Sequence, residues 1–136
     1  MGLDPVVRLW DAGAVPGRTG LYRVDGPARA LSIGGTALSR FELGEDLAGV
    51  DDEIGVDIHP DADVPIPGGF LVGGEGGLGH EGFFARLDQD RRPVWVVALE
   101  DGNPIVAIEV TDRRARFTNN LGNAVTVDLD SPEFGP

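Results

Sequence analysis

The stretch GFFARLDQDRRPVWVVALEDGNPIVAIEVTDRRARFTNNLGNAVTVDL, residues 82–129, decides the fold class of this chain. Apolar runs of five to seven residues alternate in it with short polar clusters containing Gly, Asn, Asp, Pro or Arg. Runs of this length that are rich in β-branched and aromatic residues form strands, and the polar clusters between them form turns. Because the connections are short, neighbouring strands are expected to pair antiparallel. The stretch therefore predicts a C-terminal β-meander.

The run at residues 94–99 is apolar on both faces, which is typical of a central strand that is covered on both sides. The runs at residues 105–110 and 124–129 instead alternate apolar and polar side chains, as half-buried strands do. A sheet with these strands needs a second layer, either another sheet or its own curled end. The sequence is compatible with a sandwich or a barrel, and with any oligomeric state.

The N-terminal half adds shorter elements. Residues 5–10 predict a first strand that begins at Pro5. Residues 28–33 and 36–43 flank a Gly-Gly pair and predict a hairpin, although residues 40–48 are also compatible with the start of a short helix. Residues 53–58 alternate like a half-buried strand.

Two segments are predicted to lack regular structure. Residues 59–69 contain three prolines, and residues 68–82 contain eight glycines, which favour a loop. We therefore expect residues 1–136 to form a single all-β domain, an antiparallel β-sandwich or partly closed barrel. It should have about nine or ten strands and at most one short helix.

The composition excludes several chemistries. The chain has no cysteine, and all eleven of its basic residues are arginine. Disulfides, thiolate nucleophiles, cysteine-bound zinc and Schiff-base chemistry are thereby excluded. No apolar stretch reaches the length of about 18 residues that suggests a membrane span, and no signal-peptide pattern opens the chain. We expect a cytoplasmic protein without membrane contact.

The net charge of −12 is unevenly placed along the chain. Residues 41–85 contain no arginine and eleven of the 23 acids, so the other residues carry twelve acids against eleven arginines. Acidity caused by a salt-adapted host should spread over all exposed surfaces, whereas a concentrated excess indicates a local cause. The acids of this segment are Glu42, Glu45, Asp46, Asp51, Asp52, Glu53, Asp57, Asp61, Asp63, Glu75 and Glu81.

One string within this segment resembles a metal site. In an extended chain Asp57, His59, Asp61 and Asp63 would lie on one side, where they could take a divalent cation. The spacing matches no established metal loop, however, and Pro60 breaks the alternation. A solvated acidic loop explains the string better, and we expect no metal and no cofactor.

No catalytic residues are predicted. His80 followed by Glu81 could act as a base with its orienting carboxylate, but a histidine in a turn is more often only a turn residue. The glycines of residues 73–79 are followed by neither lysine nor a helical pattern, so they do not form a phosphate loop. We expect the protein not to be an enzyme.

The arginines are predicted to gather at one end of the meander. The turns that carry Arg91, Arg92, Arg113 and Arg114 are separated by two strands and so should share an end. Direct binding of nucleic acid is disfavoured, because the net charge repels a phosphate backbone. These arginines are instead expected to be solvated or to pair internally with the acidic segment.

A dense acidic segment on a small β domain favours docking of a basic protein partner by electrostatic steering. Immunity proteins, which neutralise basic toxins, are one class built on these terms, and an immunity or inhibitor protein is the function we expect. The alternatives are a small-molecule-binding or hydrolytic β-barrel with residues 68–82 as a lid, and a structural subunit with host-driven acidity. The residues predicted to bind the partner are Asp51, Asp52, Glu53, Asp57, Asp61 and Asp63.

Overall fold

The computed structural model describes residues 4–24, 26–47 and 52–131, which form one α-helix, one short 3₁₀ helix and eleven strands. The helix α1 spans Pro5–Asp11, and the 3₁₀ helix spans Gly35–Ala37. The strands are β1 (Ala14–Pro16), β2 (Gly20–Arg23), β3 (Ala28–Ser32), β4 (Glu42–Leu47), β5 (Glu53–Ile66), β6 (Gly69–Gly76), β7 (Gly82–Asp88), β8 (Pro93–Leu99), β9 (Ile105–Thr111), β10 (Arg114–Asn119) and β11 (Ala124–Asp128).

The strands form two antiparallel sheets, so the predicted all-β, sandwich-like fold is confirmed. The large sheet has the order β1-β5-β6-β7-β8-β2-β3-β4, and the small sheet has the order β11-β10-β9. The large sheet keeps two edge strands in the described residues and does not close into a barrel. The predicted meander is divided between the sheets, because the chain leaves the large sheet after β8 at Asn103, whose φ of 63° is left-handed.

Two apolar clusters lie on opposite faces of the large sheet. In the cluster shared with the small sheet, the rings of Phe84 and Phe117 stack at 3.9 Å, and Trp95 meets Phe84 edge-on. On the other face, Phe83 and Val96 pack beneath α1. Strand β8 supplies side chains to both clusters, which confirms that residues 94–99 form a central strand covered on both sides.

The first predicted strand is wrong, because residues 5–10 lie in the helix α1. The side chain of Asp4 accepts a hydrogen bond from the backbone N–H of Val6 at 2.8 Å and so caps the helix. Pro5 then occupies the first helical turn, where its missing N–H costs nothing. The helix is held by tertiary packing, since Val6 and Val7 are buried and Trp10 meets the ring of Phe83.

The segments predicted to be irregular lie mostly in strands β5 and β6, and only residues 67–68 and 77–81 form the turns that were expected. The suggested helix at residues 40–48 is also wrong, because residues 42–47 form the edge strand β4; residue 48 lies outside the described residues. Strand β5 runs through Pro60 by means of a bulge, at which its register against β6 shifts between Ile58 and Asp63. Ile58 is paired with Gly74 and Asp63 with Val72, so an advance of five residues along β5 corresponds to two residues along β6. Because the difference is an odd number of residues, side chains after the bulge point to the opposite face of the sheet from those before it. Val56 therefore packs into one cluster and Val64 against the other.

Glycine in β6 is required by the close approach of β5. A Cβ atom on Gly74 would overlap the carbonyl oxygen of Asp57 on the neighbouring strand. Glycine at this position, which suggested a loop, thus allows two neighbouring backbones to approach closely within a sheet. The Gly-Gly pair, by contrast, lies in a longer connection that carries the 3₁₀ helix, although β3 and β4 do pair antiparallel as predicted.

Candidate protein-docking surface

Three carboxylates share one exposed face of the β5–β6 pair. Glu53 and Asp57 alternate with the half-buried Ile54 and Val56 along β5, so they project away from the core. Glu75 is the register partner of Asp57 across the antiparallel ladder and is exposed on the same face. We call Glu53, Asp57 and Glu75 the acidic face.

The acidic face places like charges directly opposite one another. Side chains at register-paired positions have Cβ atoms about 4.5–5.5 Å apart, and like charges at this separation destabilise a sheet. Within the described part of the chain, no arginine forms an ion pair with Glu53, Asp57 or Glu75. The repulsion is therefore uncompensated by neighbouring side chains.

Many other acids lie beside arginines. Two face arginines across the small sheet, where Glu109 is opposite Arg116 and Asp128 is opposite Arg114. Other exposed acids, such as Glu42 and Asp90, also lack an arginine ion pair among the described residues, so what distinguishes the acidic face is the register pairing of Asp57 with Glu75. The arginine–carboxylate pairs seen among the described residues are Arg18–Glu45, Arg29–Asp46, Arg91–Asp63, Arg86–Asp130 and Arg113–Asp130.

The structure does not pair the other predicted partner-binding residues with the acidic face, and one of them lies outside the described residues. Asp51 is among the residues that are not described, whereas Asp52 is exposed and its carbonyl oxygen accepts a hydrogen bond from Gly17 N–H at 3.0 Å. Asp61 is exposed in the bulge of β5, and its backbone N–H donates to His59 Nδ1 at 3.1 Å. Both aspartates keep their carboxylates available to solvent.

Asp63 has an internal partner. Its carboxylate accepts two hydrogen bonds from the guanidinium of Arg91, the shorter at 3.0 Å. The same guanidinium lies over the ring of Phe70, 4.7 Å from its centroid. Asp63 is thus fixed against the β7–β8 turn and does not belong to the acidic face, to which the structure instead adds Glu75.

Because Asp63 and Asp57 have different surroundings, their substitutions are predicted to change the free energy of unfolding in opposite directions. Asp63→Asn should lower the free energy of unfolding by about 0.5 kcal/mol, because a partly exposed ion pair is lost. Asp57→Asn, the matched control, should raise it by a similar small amount, because a like-charge pair is relieved. Urea unfolding of the two variants measures both changes, and equal losses would contradict these assignments.

The arginine-rich end is compensated only in part by the acidic segment. Arg91 pairs with Asp63, but Arg113 pairs with Asp130, which also lies 3.9 Å from Arg86. Among the residues that are described, Arg92 and Arg114 form no ion pair. Most of the acidic segment therefore faces solvent rather than this end.

The residues considered for metal binding and catalysis are not brought together. No group of three or more His, Cys, Asp or Glu side chains in the described ranges is placed to hold a metal ion. The bulge of β5 separates Asp57 from Asp63, which turns to Arg91. His80 is exposed, and its Nδ1 lies 3.0 Å from the carbonyl oxygen of Glu100. The proposed lid includes strand β6, which is part of the large sheet.

Comparison with protein-family models, with curated proteins and with solved structures finds no match. None of the described helices has the length and apolar character needed to cross a membrane. The chemistry available at the acidic face is that of solvent-exposed carboxylates on a hydrogen-bonded pair of strands. Such a surface attracts cations, above all the Arg and Lys side chains of another protein.

Proposed function

We propose that the protein is a binding module that docks a basic protein partner through the acidic face, as an immunity protein docks a toxin. One observation carries the proposal: Asp57 and Glu75 oppose each other across β5 and β6 without an arginine partner in the described residues. A fold retains a destabilising arrangement when function requires it, as stored strain at other functional sites illustrates. A basic partner would remove the repulsion upon binding.

The acidic face has the properties that electrostatic docking needs. Its carboxylates project from hydrogen-bonded strands, so the backbone that carries them does not have to become ordered when a partner binds. Asp52 and Asp61 are also exposed, near the two ends of the first half of β5, and add to the negative charge of this region. The field of these charges, added to the net charge of −12, would steer a cationic surface towards this face. We place this encounter in the cytoplasm.

The distribution of charge favours this proposal over a structural subunit with host-driven acidity. Host-driven acidity would scatter single unpaired acids such as Glu42 and Asp90, whereas Asp57 and Glu75 lie directly opposite each other on paired strands. The barrel alternative loses its lid, since β6 is hydrogen-bonded to both β5 and β7. Docking is therefore the function best supported by the geometry.

The proposal is tested by capture and titration. The immobilised chain is exposed at low salt to a lysate of its source organism, and retained proteins are identified and then purified. We expect a basic protein whose affinity, measured by calorimetry, falls steeply as salt rises, because exposed charges are screened over about 10 Å at 0.1 M ionic strength. An affinity for the purified partner that does not change with salt would contradict docking through the acidic face.

A further inference from the structure

A cavity of about 400 Å³ differs from the acidic face in charge, because its lining includes two arginines and no acid. Its walls come from residues 38–41, which follow the 3₁₀ helix, and from Arg114, Val125 and Thr126 of the small sheet. The cavity is a shallow depression that is open to solvent, with room for a small molecule. The cavity shares no residue with the acidic face.

The cationic groups of this cavity are free to take a ligand. In the described chain, the side chains of Arg40 and Arg114 form no ion pair and no hydrogen bond. Arg114 also lines a neighbouring cavity together with Glu109, Asp112 and its register partner Asp128, but within the described residues it forms no ion pair with these acids. Arginine suits this role because its planar donors recognise carboxylate and phosphate groups in pairs.

The remaining lining selects for an apolar body. Leu38 and Val125 are 2% and 6% exposed, so they form a fixed apolar floor, and Phe41 is half-buried beside them. Ser39 and Thr126 also line the cavity. A mostly apolar lining with a few convergent polar groups is the usual composition of a small-molecule site.

The rim of the cavity is held in an uncommon backbone conformation. Leu38 has a φ of 51°, a left-handed value that is unfavourable for a bulky residue other than glycine. The connection is anchored by Asn119 and Asn123, whose side-chain N–H groups both donate to the carbonyl oxygen of Thr36, at 2.8 and 3.0 Å. The backbone N–H of Arg40 donates to Ile33 at 3.4 Å and closes the connection. The surrounding hydrogen bonds therefore hold this rim in one conformation, as binding of a ligand between Arg40 and Arg114 would require.

We propose that this cavity binds a small organic anion, in which a carboxylate or phosphate group is attached to an apolar body. Arg40 and Arg114 would bind the anionic group, while Leu38, Phe41 and Val125 would contact the apolar part. The inference does not depend on the docking of a basic partner, because the two surfaces differ in sign and in residues.

The test is an NMR titration at fixed ionic strength with phenyl phosphate and benzoate, and with benzyl alcohol and inorganic phosphate as controls. We expect saturable shifts in the amides of residues 38–41 and 124–126 with at least one of the two aromatic anions. The tighter-binding anion identifies the preferred group. Both controls should bind about tenfold more weakly or worse, since each lacks one half of the recognition.

Matched arginine variants distinguish specific binding at the cavity from non-specific electrostatic attraction of the anion to the protein. Arg40→Gln and Arg114→Gln should each weaken binding of the preferred anion about tenfold, because a charge-assisted hydrogen bond is lost. Arg92→Gln, which removes the same charge from an exposed turn, should leave the affinity unchanged. The proposal is overturned if neither aromatic anion gives saturable shifts at millimolar concentrations, or if the Arg92 variant weakens binding as much as the other two. The amide spectra themselves show whether each variant remains folded.

Discussion

Replacing Asn119 with alanine is expected to destabilise the protein by about 3 kcal/mol or more, because four hydrogen bonds to a buried amide are lost together. The side chain is 1% exposed. Its Nδ2 donates to the carbonyl oxygens of Thr36 and Gly102 at 2.8 and 2.9 Å. Its Oδ1 accepts from the backbone N–H groups of Leu121 and Asn123, both at 3.0 Å.

The size of this effect follows from what the substitution leaves behind. Gly102 is buried, so its carbonyl oxygen cannot readily exchange Asn119 for water. The lost bonds also connect the β10–β11 turn to two other connections of the chain, at Thr36 and at Gly102. The loss of one buried side chain should therefore loosen three connections at once.

Urea unfolding followed by tryptophan fluorescence measures this change, with Asn120→Ala as the matched control. Asn120 is the exposed neighbour, and its side chain accepts only one hydrogen bond, from Asn103 at 3.1 Å. We expect the control to change the free energy of unfolding by about 0.5 kcal/mol or less. A loss below about 1 kcal/mol for Asn119→Ala would show that the amide network does not hold the turns together.

Reversing the charges of Asp57 and Glu75 is expected to weaken binding of the basic partner about a hundredfold or more, because like charges across an interface cost several kcal/mol. The same double substitution to lysine should leave the free energy of unfolding within about 0.5 kcal/mol of wild type. The reason is that one like-charge pair replaces another at the register-paired positions. Binding and stability are thus predicted to separate.

The single substitution Asp57→Lys sharpens this prediction. It places a lysine opposite Glu75, and an opposite-charge cross-strand pair contributes roughly 0.2–1 kcal/mol. The variant should be more stable than wild type and yet bind the partner more weakly. A variant that gained stability without losing affinity would indicate that the like-charge pair is unconnected with binding.

Features with a local cause could be predicted from the sequence. Residues 94–99 are apolar at every position, and this alone indicates a strand covered on both sides, as β8 is. The short connections likewise indicate antiparallel pairing, which holds in both sheets. The helix α1 was within reach too, because Asp4 followed by Pro5 is the pattern of a capped helix start.

Features with a tertiary cause could not. Strand β6 requires glycine at position 74 because β5 passes too close for any side chain there. Only the folded sheet reveals that approach. The pairing of Asp57 with Glu75 depends on the register of β5 against β6, which the bulge resets before Asp63. The concentration of acids in the sequence pointed to residues 41–85 as the functional region. Only the register of β5 against β6 shows that Asp57 belongs to the acidic face whereas Asp63 is ion-paired with Arg91.

The central claim, that the acidic face docks a basic partner, is tested most directly by calorimetric titration of the captured partner at one fixed ionic strength. Wild type is compared with Asp57→Lys/Glu75→Lys and with Glu42→Lys/Asp90→Lys, which makes the same change of net charge at two exposed acids without an ion pair in the described chain. We predict a loss of about a hundredfold for the first pair and less than tenfold for the second. Equal losses for the two pairs would contradict the claim.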